Sequence, residues 1–335
     1  MGPYHPPRRA GRQEVLGALL AATTGALLVW GIAGAADPAE GSGEGLTLLL
    51  AGDVMLGRGI DQIMKRPLPP RLYEPYVRDA RRYVALAEAA SGPIPRRVRP
   101  AYVWGEALEV LARHRPAVRI VNLETAVTTA DEPWPGKGIH YRTHPANVAV
   151  LEAAGVDCAG LANNHVLDWG RPGLAETVTT LRRAGIAVAG AGADSTAAAA
   201  PAILATPGGR VLVFAMADGS SGVPPAWGAE EGRSGVSRLP DLAAATAREV
   251  ARTIARARGP GDLVVASIHW GGNWGYAVPP EQARFARILV DEGGVDVVHG
   301  HSSHHPKGIE IYRGRLVLYG AGDLINDYEG IGGQE

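Results

Sequence analysis

The sequence predicts an α/β fold, and three observations predict it. Short apolar runs alternate with segments of helical periodicity from residue 46 onward. The runs are rich in branched residues and apolar on both sides, as strands covered on both faces are. Two hairpins interrupt the alternation, which points to a mixed sheet or two stacked sheets rather than one parallel sheet.

The first strand is "LTLLLA", residues 46–51, entered from "DPAEGSGEG" (37–45), whose small and acidic residues make a flexible linker. Residues 67–100 are rich in Pro and Arg, carry one helical stretch near 78–90, and read as an insertion over the surface. The helix "WGEALEVLARH" (104–114) leads into strand "AVRIVNL" (117–123), and "VDCAGLA" (156–162) is the third strand. After it come the helix "GLAETVTTLRRAG" (173–185) and a short helix in the low-complexity "ADSTAAAAPA". A hairpin turns at Gly208-Gly209. Helix 239–258, strand "LVVASIH" (263–269), helix 281–293 and strand "VDVVHG" (295–300) complete the alternation, and a second hairpin turns at Arg313-Gly314.

At 335 residues and 35.0 kDa the chain holds one large domain or two small ones. Hydrophobic residues at 46% with 20% charged describe a globular protein. A formal net charge of -1 counts against a nucleic-acid partner gripped by bulk electrostatics. Cys158 is the only cysteine, which excludes an intramolecular disulfide and a thiolate metal cluster; it reads as a small buried residue.

Residues 15–36 carry no charge; Arg8, Arg9 and Arg12 precede them, and Asp37, Glu40 and Glu44 come after. That length matches a bilayer core, and the basic tail, residues 1–14, belongs on the cytoplasmic side. A retained transmembrane helix is the favoured expectation, with a signal peptide cleaved near Ala33-Gly34-Ala35 as the alternative. Either outcome places residues 46–335 outside the cytoplasmic membrane, anchored to it or secreted.

The polar residues just past each strand are the informative part. "GDVMLGRG", "ETAVT", "NNHVLDWG", "HWGGNWGY" and "HSSHHP" stand at the ends of the five strands in turn. In α/β sheets the loops beyond the carboxyl ends of the strands converge. Asp53, Glu124, Asn163, Asn164, His165, His269, His301 and His304 are therefore expected to meet. Singly, each has a structural explanation: Asp53 as a helix cap, Glu124 as a surface acid, Asn163-Asn164 as a turn. Five strand ends finishing in such side chains are hard to obtain by chance. Carboxylate, amide and imidazole without sulfur suit manganese, iron or zinc better than magnesium alone. The number of donors leaves room for one ion or two.

"GDVMLGR", "NLETAVT", "NNHVLDWG", "HWGGNWGY", "GHSSHHPKGIEIY" and "YGAGDLIND" together resemble the CapA family of capsule or poly-γ-glutamate synthesis proteins, over residues 46–330. That family looks like a distant relative of calcineurin-type metallophosphoesterases. The resemblance implies a sandwich of mixed β-sheets flanked by helices. It makes Asp53 a ligand of one metal, Glu124 a bridging carboxylate, and Asn164 and His269 ligands of a second ion. His301 and His304 correspond to the family's paired histidines, and His165 falls where the phosphoesterases keep their proton donor. The implied function is a membrane-tethered, metal-dependent hydrolase acting on poly-γ-glutamate or a similar anionic polymer, alongside membrane-bound synthesis or export subunits. The alternative is a non-catalytic accessory subunit that binds metal or polymer.

Arg58 is an expected anion clamp, since a guanidinium takes two oxygens at once. Asn163 and Trp270 are the other expected substrate contacts, while Trp169, Trp274 and Tyr276 either wall a groove or pack at loop bases. Asp168 is expected to orient His165 or cap the next helix. The chain departs from the phosphoesterase pattern at Met55, where a histidine is usual, and in the wider "HSSH" spacing. Asn273 and Asp323 stand where many CapA members have Glu and Asn. Family members usually continue past the position of "NDYEG", which implies either a naturally short form or a shortened copy.

Overall fold

The computed structural model describes residues 28–32 and 45–328. The apolar runs become two six-stranded sheets. In the first sheet, β1 (Leu28–Ile32) runs antiparallel to β2 (Leu46–Val54). β3 (Val118–Leu123), β4 (Cys158–Gly160) and β5 (Ala187–Ala189) follow β2 in parallel order. In the second, β6 (Ala202–Thr206) and β7 (Gly209–Ala217) form the first predicted hairpin, and β8 (Leu263–His269) and β9 (Val297–His301) run parallel to β7. The second hairpin, β10 (Ile309–Tyr312) and β11 (Arg315–Leu318), completes that sheet with β11 parallel to β9. Its turn places Arg313 at φ 48 and Gly314 at φ 74, the left-handed pair that a two-residue hairpin requires.

Alternation along β7 shows how the sheets stack. Val211, Val213 and Ala215 join a core shared with Leu48, Leu50 and Val121 of the first sheet. Leu212, Phe214 and Met216 point the other way, onto α5 (Ala244–Ala257) and α6 (Pro280–Gly293). A strand with period two serves two layers at once, which is why it reads as continuously apolar. Each fully buried large side chain, Phe285 among them, contributes about 1.5–3 kcal/mol of transfer free energy. The other helices of six or more residues are α1 (Arg58–Ile63), α2 (Arg81–Ser91), α3 (Ala107–His114) and α4 (Gly170–Arg183). The Pro-rich insertion carries α2 as expected, and Asp194 caps the short Ser195–Ala199 helix by accepting from the Ala197 amide at 2.8 Å.

One expectation needs correction. Leu28–Ile32, inside the predicted transmembrane segment 15–36, are extended and paired with β2 rather than helical. A short apolar run satisfies helix and strand equally, and the open edge of β2 supplies the partner that decides. The rest of 15–36, the tail 1–14 and residues 37–44 lie outside the described residues. Among the described residues no helix is long and apolar enough to cross a membrane.

The last strand, β12 (Asp323–Ile325), lies parallel beside the end of β2 and pairs Asp323 with Asp53. The approach is close: a Cβ at Gly52 would stand 1.8 Å from the Gly322 carbonyl oxygen, which accepts from the Asp53 amide at 2.9 Å. Only glycine fits there, so the "GD" of "AGDV" is a packing requirement as well as a motif.

Candidate metal centre

Parallel strands end on one side of their sheets, so the polar residues beyond them meet. Asp53 ends β2, Glu124 follows β3, Asn164 and His165 follow β4, His269 ends β8, and His301 ends β9. Two groups of donors result, each with ligand atoms within 4.8 Å of one another. Asp53, His269 and His301 form one; Asp53, Glu124, His304 and Asp323 form the other. Asp53 is common to both, the position the family resemblance gives to Glu124.

Hydrogen bonds fix the donors. Asn122 Nδ2 donates to Asp53 Oδ1 at 2.6 Å, and the Ser302 amide donates to Oδ2 at 3.2 Å. His269 and His301 face each other with Nδ1 atoms 2.8 Å apart. The outer nitrogen of His301 lies 2.9 Å from Ser267 Oγ, and that of His269 lies 3.1 Å from Asn164 Oδ1. His304 Nδ1 bonds Asp323 at 2.9 Å, and Asn326 Nδ2 donates to the same carboxylate at 2.7 Å. Outer partners of this kind are what orient metal ligands.

The electrostatics suit a cation. Asp53, Glu124 and Asp323 are buried side by side. Burial first, and then the charge of Asp323, pushes Asp53 up to about 7. Burial, reinforced by Asp53 and Asp323, holds Glu124 well above the carboxylate range. Burial likewise holds His269 and His301 well below the usual imidazole value, in the neutral form that binds metals. Glu124 Oε2 is buried with no hydrogen-bond partner among the described residues. A buried carboxylate oxygen without a donor is costly, and a divalent ion removes that cost. The residues present fit such an ion.

Beside the donors stands a second device. His165 Nδ1 bonds Asp168 Oδ2 at 2.6 Å, while Nε2 faces Glu124 Oε1 at 3.9 Å. Asp168 also accepts from the Tyr141 amide at 2.6 Å and from Lys137 Nζ. The Tyr141 ring stacks on His165 with centroids 3.9 Å apart. Burial pulls His165 down to about 4 despite Asp168.

Comparison with known proteins decides the family. Residues 47–328 match the model described as "Bacterial capsule synthesis protein PGA_cap". The chain belongs to that family. A "Probable polyglutamine synthesis accessory protein" of Mycobacterium tuberculosis, found in two strains, is 50% identical over 298 residues, 88% of this chain and 78% of the relative. The "Capsule biosynthesis protein CapA" of Bacillus anthracis is 24% identical over 287 residues, 85% of this chain and 60% of that protein. The "PGA biosynthesis protein CapA" of Bacillus subtilis is 26% identical over 192 residues, 57% of this chain and 48% of that protein.

Within the PGA_cap domain the structure brings together Asp53, Glu124, Asn164, His165, His269, His301 and His304, all singled out from the sequence. Three expected substrate contacts are committed to internal bonds instead. Arg58 is buried and committed: Nε donates to Asp327 at 3.0 Å and Nη1 to Glu74 at 3.2 Å, with Tyr83 against its face. It is an internal ion-pair residue, not an open anion clamp. Asn163 is saturated by internal bonds, donating to Leu123 O at 2.8 Å and accepting from the amides of His165 and Val166. It shapes the turn that presents Asn164. Trp270 is buried on the α6 side, stacked on Tyr319, with Nε1 donating to Tyr319 O at 3.0 Å. Next to the inward-facing His269 it points to the opposite face.

Sequence reasoning left Asp323, Asn122 and Lys137 out of the site. Met55 is buried, its sulfur accepting from the Gly57 amide at 3.1 Å, and adds nothing to the centre. The carboxylate of Asp323 joins Asp53 there instead. His299 is buried beneath the site against Ser267, and His305 stacks with Trp274 at the rim.

Proposed function

We propose that the chain is a metal-dependent hydrolase that acts on an anionic polymer of the poly-γ-glutamate class during capsule-type polymer synthesis. The observation that carries this reading is the buried set Asp53, Glu124 and Asp323, gathered with His304 and beside His269 and His301, whose burial favours the neutral form, and left with an unpartnered oxygen on Glu124. One or two divalent ions, manganese, iron or zinc rather than magnesium alone, would be held by these carboxylates with His269, His301 and His304. Such ions supply Lewis-acid polarisation of the scissile group and make water acidic enough to attack at neutral pH.

The chain's own residues do the rest. Asp168, an acceptor 2.6 Å away, favours the His165 tautomer with the proton on Nδ1, a nitrogen that Lys137 Nζ also approaches to 3.0 Å. Nε2 is then the atom free to exchange a proton with the leaving group. Lys137 and the Tyr141 amide hold Asp168, and the stacked Tyr141 ring holds the imidazole plane. Without ligand His165 is neutral. The negative charge of a bound polymer raises it toward the range of a proton donor. We place this work outside the cytoplasmic membrane, with other synthesis or export subunits; the support is the uncharged stretch ahead of Leu28, which follows Arg8, Arg9 and Arg12.

A second reading, a non-catalytic accessory protein, is favoured by the word "accessory" in the mycobacterial relatives' name and by Met55. One assay separates the two. Chelator-treated protein is reloaded with manganese, iron, zinc or magnesium and offered bis(p-nitrophenyl) phosphate and poly-γ-glutamate. Turnover that disappears with chelator and returns with manganese, iron or zinc is expected. Reloaded protein that binds metal yet cleaves neither substrate makes it an accessory protein.

A further inference from the structure

The Pro-rich insertion has a charge of its own. Residues 64–99, which take in the three residues before it, hold nine Lys and Arg against three Asp and Glu, in a chain whose totals are 33 and 34. All three acids are already engaged: Glu74 with Arg58, Asp79 with Arg81, and Glu88 with Arg96. Between α1, α2 and the segment after α2 lies a pocket of about 390 Å³, rimmed by Lys65, Arg81, Arg96 and Arg97. Lys65 and Arg97 are exposed and form no ion pair among the described residues. Arg97 is held at φ 56, a left-handed conformation that a side chain rarely adopts. The Val98 amide, bonded to Ile63 O at 3.0 Å, ties this segment to the end of α1.

We propose that this pocket docks the carboxylates of an anionic polymer, a site separate from the metal centre. Its substrate class rests on the reading under "Proposed function". Met64, Pro67 and Val84 line the pocket between the cations. A cationic rim over an apolar floor suits a chain whose carboxylates are spaced by methylene groups; a phosphate headgroup needs the rim alone. Pro67 in the lining, and Pro93 and Pro95 just before Arg96 and Arg97, restrict the backbone that carries the cations, so little order is lost on binding. The pocket is also near the chemistry. α1 runs from Arg58, whose guanidinium lies over the Tyr141 ring that stacks on His165, to Ile63, between the pocket-lining Gln62 and Met64, about 9 Å for its six residues. A polymer held here is tethered within a few repeat units of the centre.

The test uses the full chain, fluorescently labelled poly-γ-glutamate, and vesicles containing phosphatidylglycerol. Wild type is expected to bind the polymer with an affinity that falls as salt rises. Lys65→Glu/Arg97→Glu is expected to weaken that binding by about tenfold or more, and Lys65→Gln/Arg97→Gln by less in the same direction. Metal content and bis(p-nitrophenyl) phosphate turnover stay at the wild-type level. Polymer binding untouched by charge reversal overturns the proposal. So does loss of vesicle binding alone, which makes the face a membrane-contact surface. A wild type that binds polymer through these residues but cleaves nothing supports this inference and sinks the hydrolase reading. One that hydrolyses phosphodiesters without binding polymer does the reverse.

Discussion

Asp53→Asn is expected to reduce metal-dependent hydrolysis by about 10³-fold while leaving the metal-free protein within about 1 kcal/mol of wild type in stability. Asp53 is the one carboxylate shared by both donor groups, so no other substitution removes as much of the centre. Several kcal/mol of transition-state stabilisation go with the ions, and each 1.36 kcal/mol is a factor of ten. Stability should respond differently. Asparagine keeps one of the two hydrogen bonds, from Asn122 or from Ser302, and loses the other. That loss, about 1 kcal/mol, is offset by no longer burying a charge beside Asp323, since burial first and Asp323 second raise Asp53 to about 7. Thermal unfolding with and without added cation reads both effects. Wild type gains Tm on cation addition, and the variant does not. A variant that still gains Tm and still turns over substrate excludes Asp53 as a ligand.

His165→Asn has the second largest expected effect, and its size depends on the leaving group. The imidazole lies beside the donor groups without belonging to either, with Nε2 facing Glu124 and Nδ1 bonded to Asp168. Removing a general acid costs about 10²–10⁴-fold when the leaving group must be protonated to depart. The amine of a γ-glutamyl amide must be; nitrophenolate leaves as an anion. Poly-γ-glutamate cleavage should therefore fall by at least about 10²-fold, nitrophenyl phosphodiester cleavage far less, and metal content not at all. Equal losses on both substrates would assign His165 to holding the site's shape rather than to proton transfer.

Most of the centre was legible because the two sheets carry their donors at strand ends, where an apolar run breaks into polar residues. Convergence of Asp53, Glu124, Asn164, His269 and His301 comes from parallel strands. Asp323 was named only as a departure from the family pattern and not as a ligand, because β12 has three residues, too few for any periodic pattern, and finds β2 from the far end of the chain. Asn122 sits inside the apolar strand "VRIVNL", where an amide reads as an interruption rather than as a support for Asp53. Lys137 lies in a loop and gains its meaning from Asp168, 31 positions later. Two misreadings have simple causes. Strand alternation, applied one residue past His269, would have turned Trp270 outward toward α6. Nothing local to Arg58 announces Asp327, 269 positions away, whose carboxylate occupies the fork an anion would need. The transmembrane helix over 15–36 was drawn from length and polarity alone, which do not reveal that Leu28–Ile32 pair with β2.

The central claim, that side chains from distant strand ends enclose a divalent cation, is tested most directly by diffraction from crystals of the protein loaded with manganese, iron or zinc, recorded on either side of the metal's absorption edge. The account predicts an anomalous peak inside the ring of Asp53, His269, His301 and the Glu124–His304–Asp323 group. Loaded crystals with no peak there, or with peaks only at surface carboxylates, would contradict it.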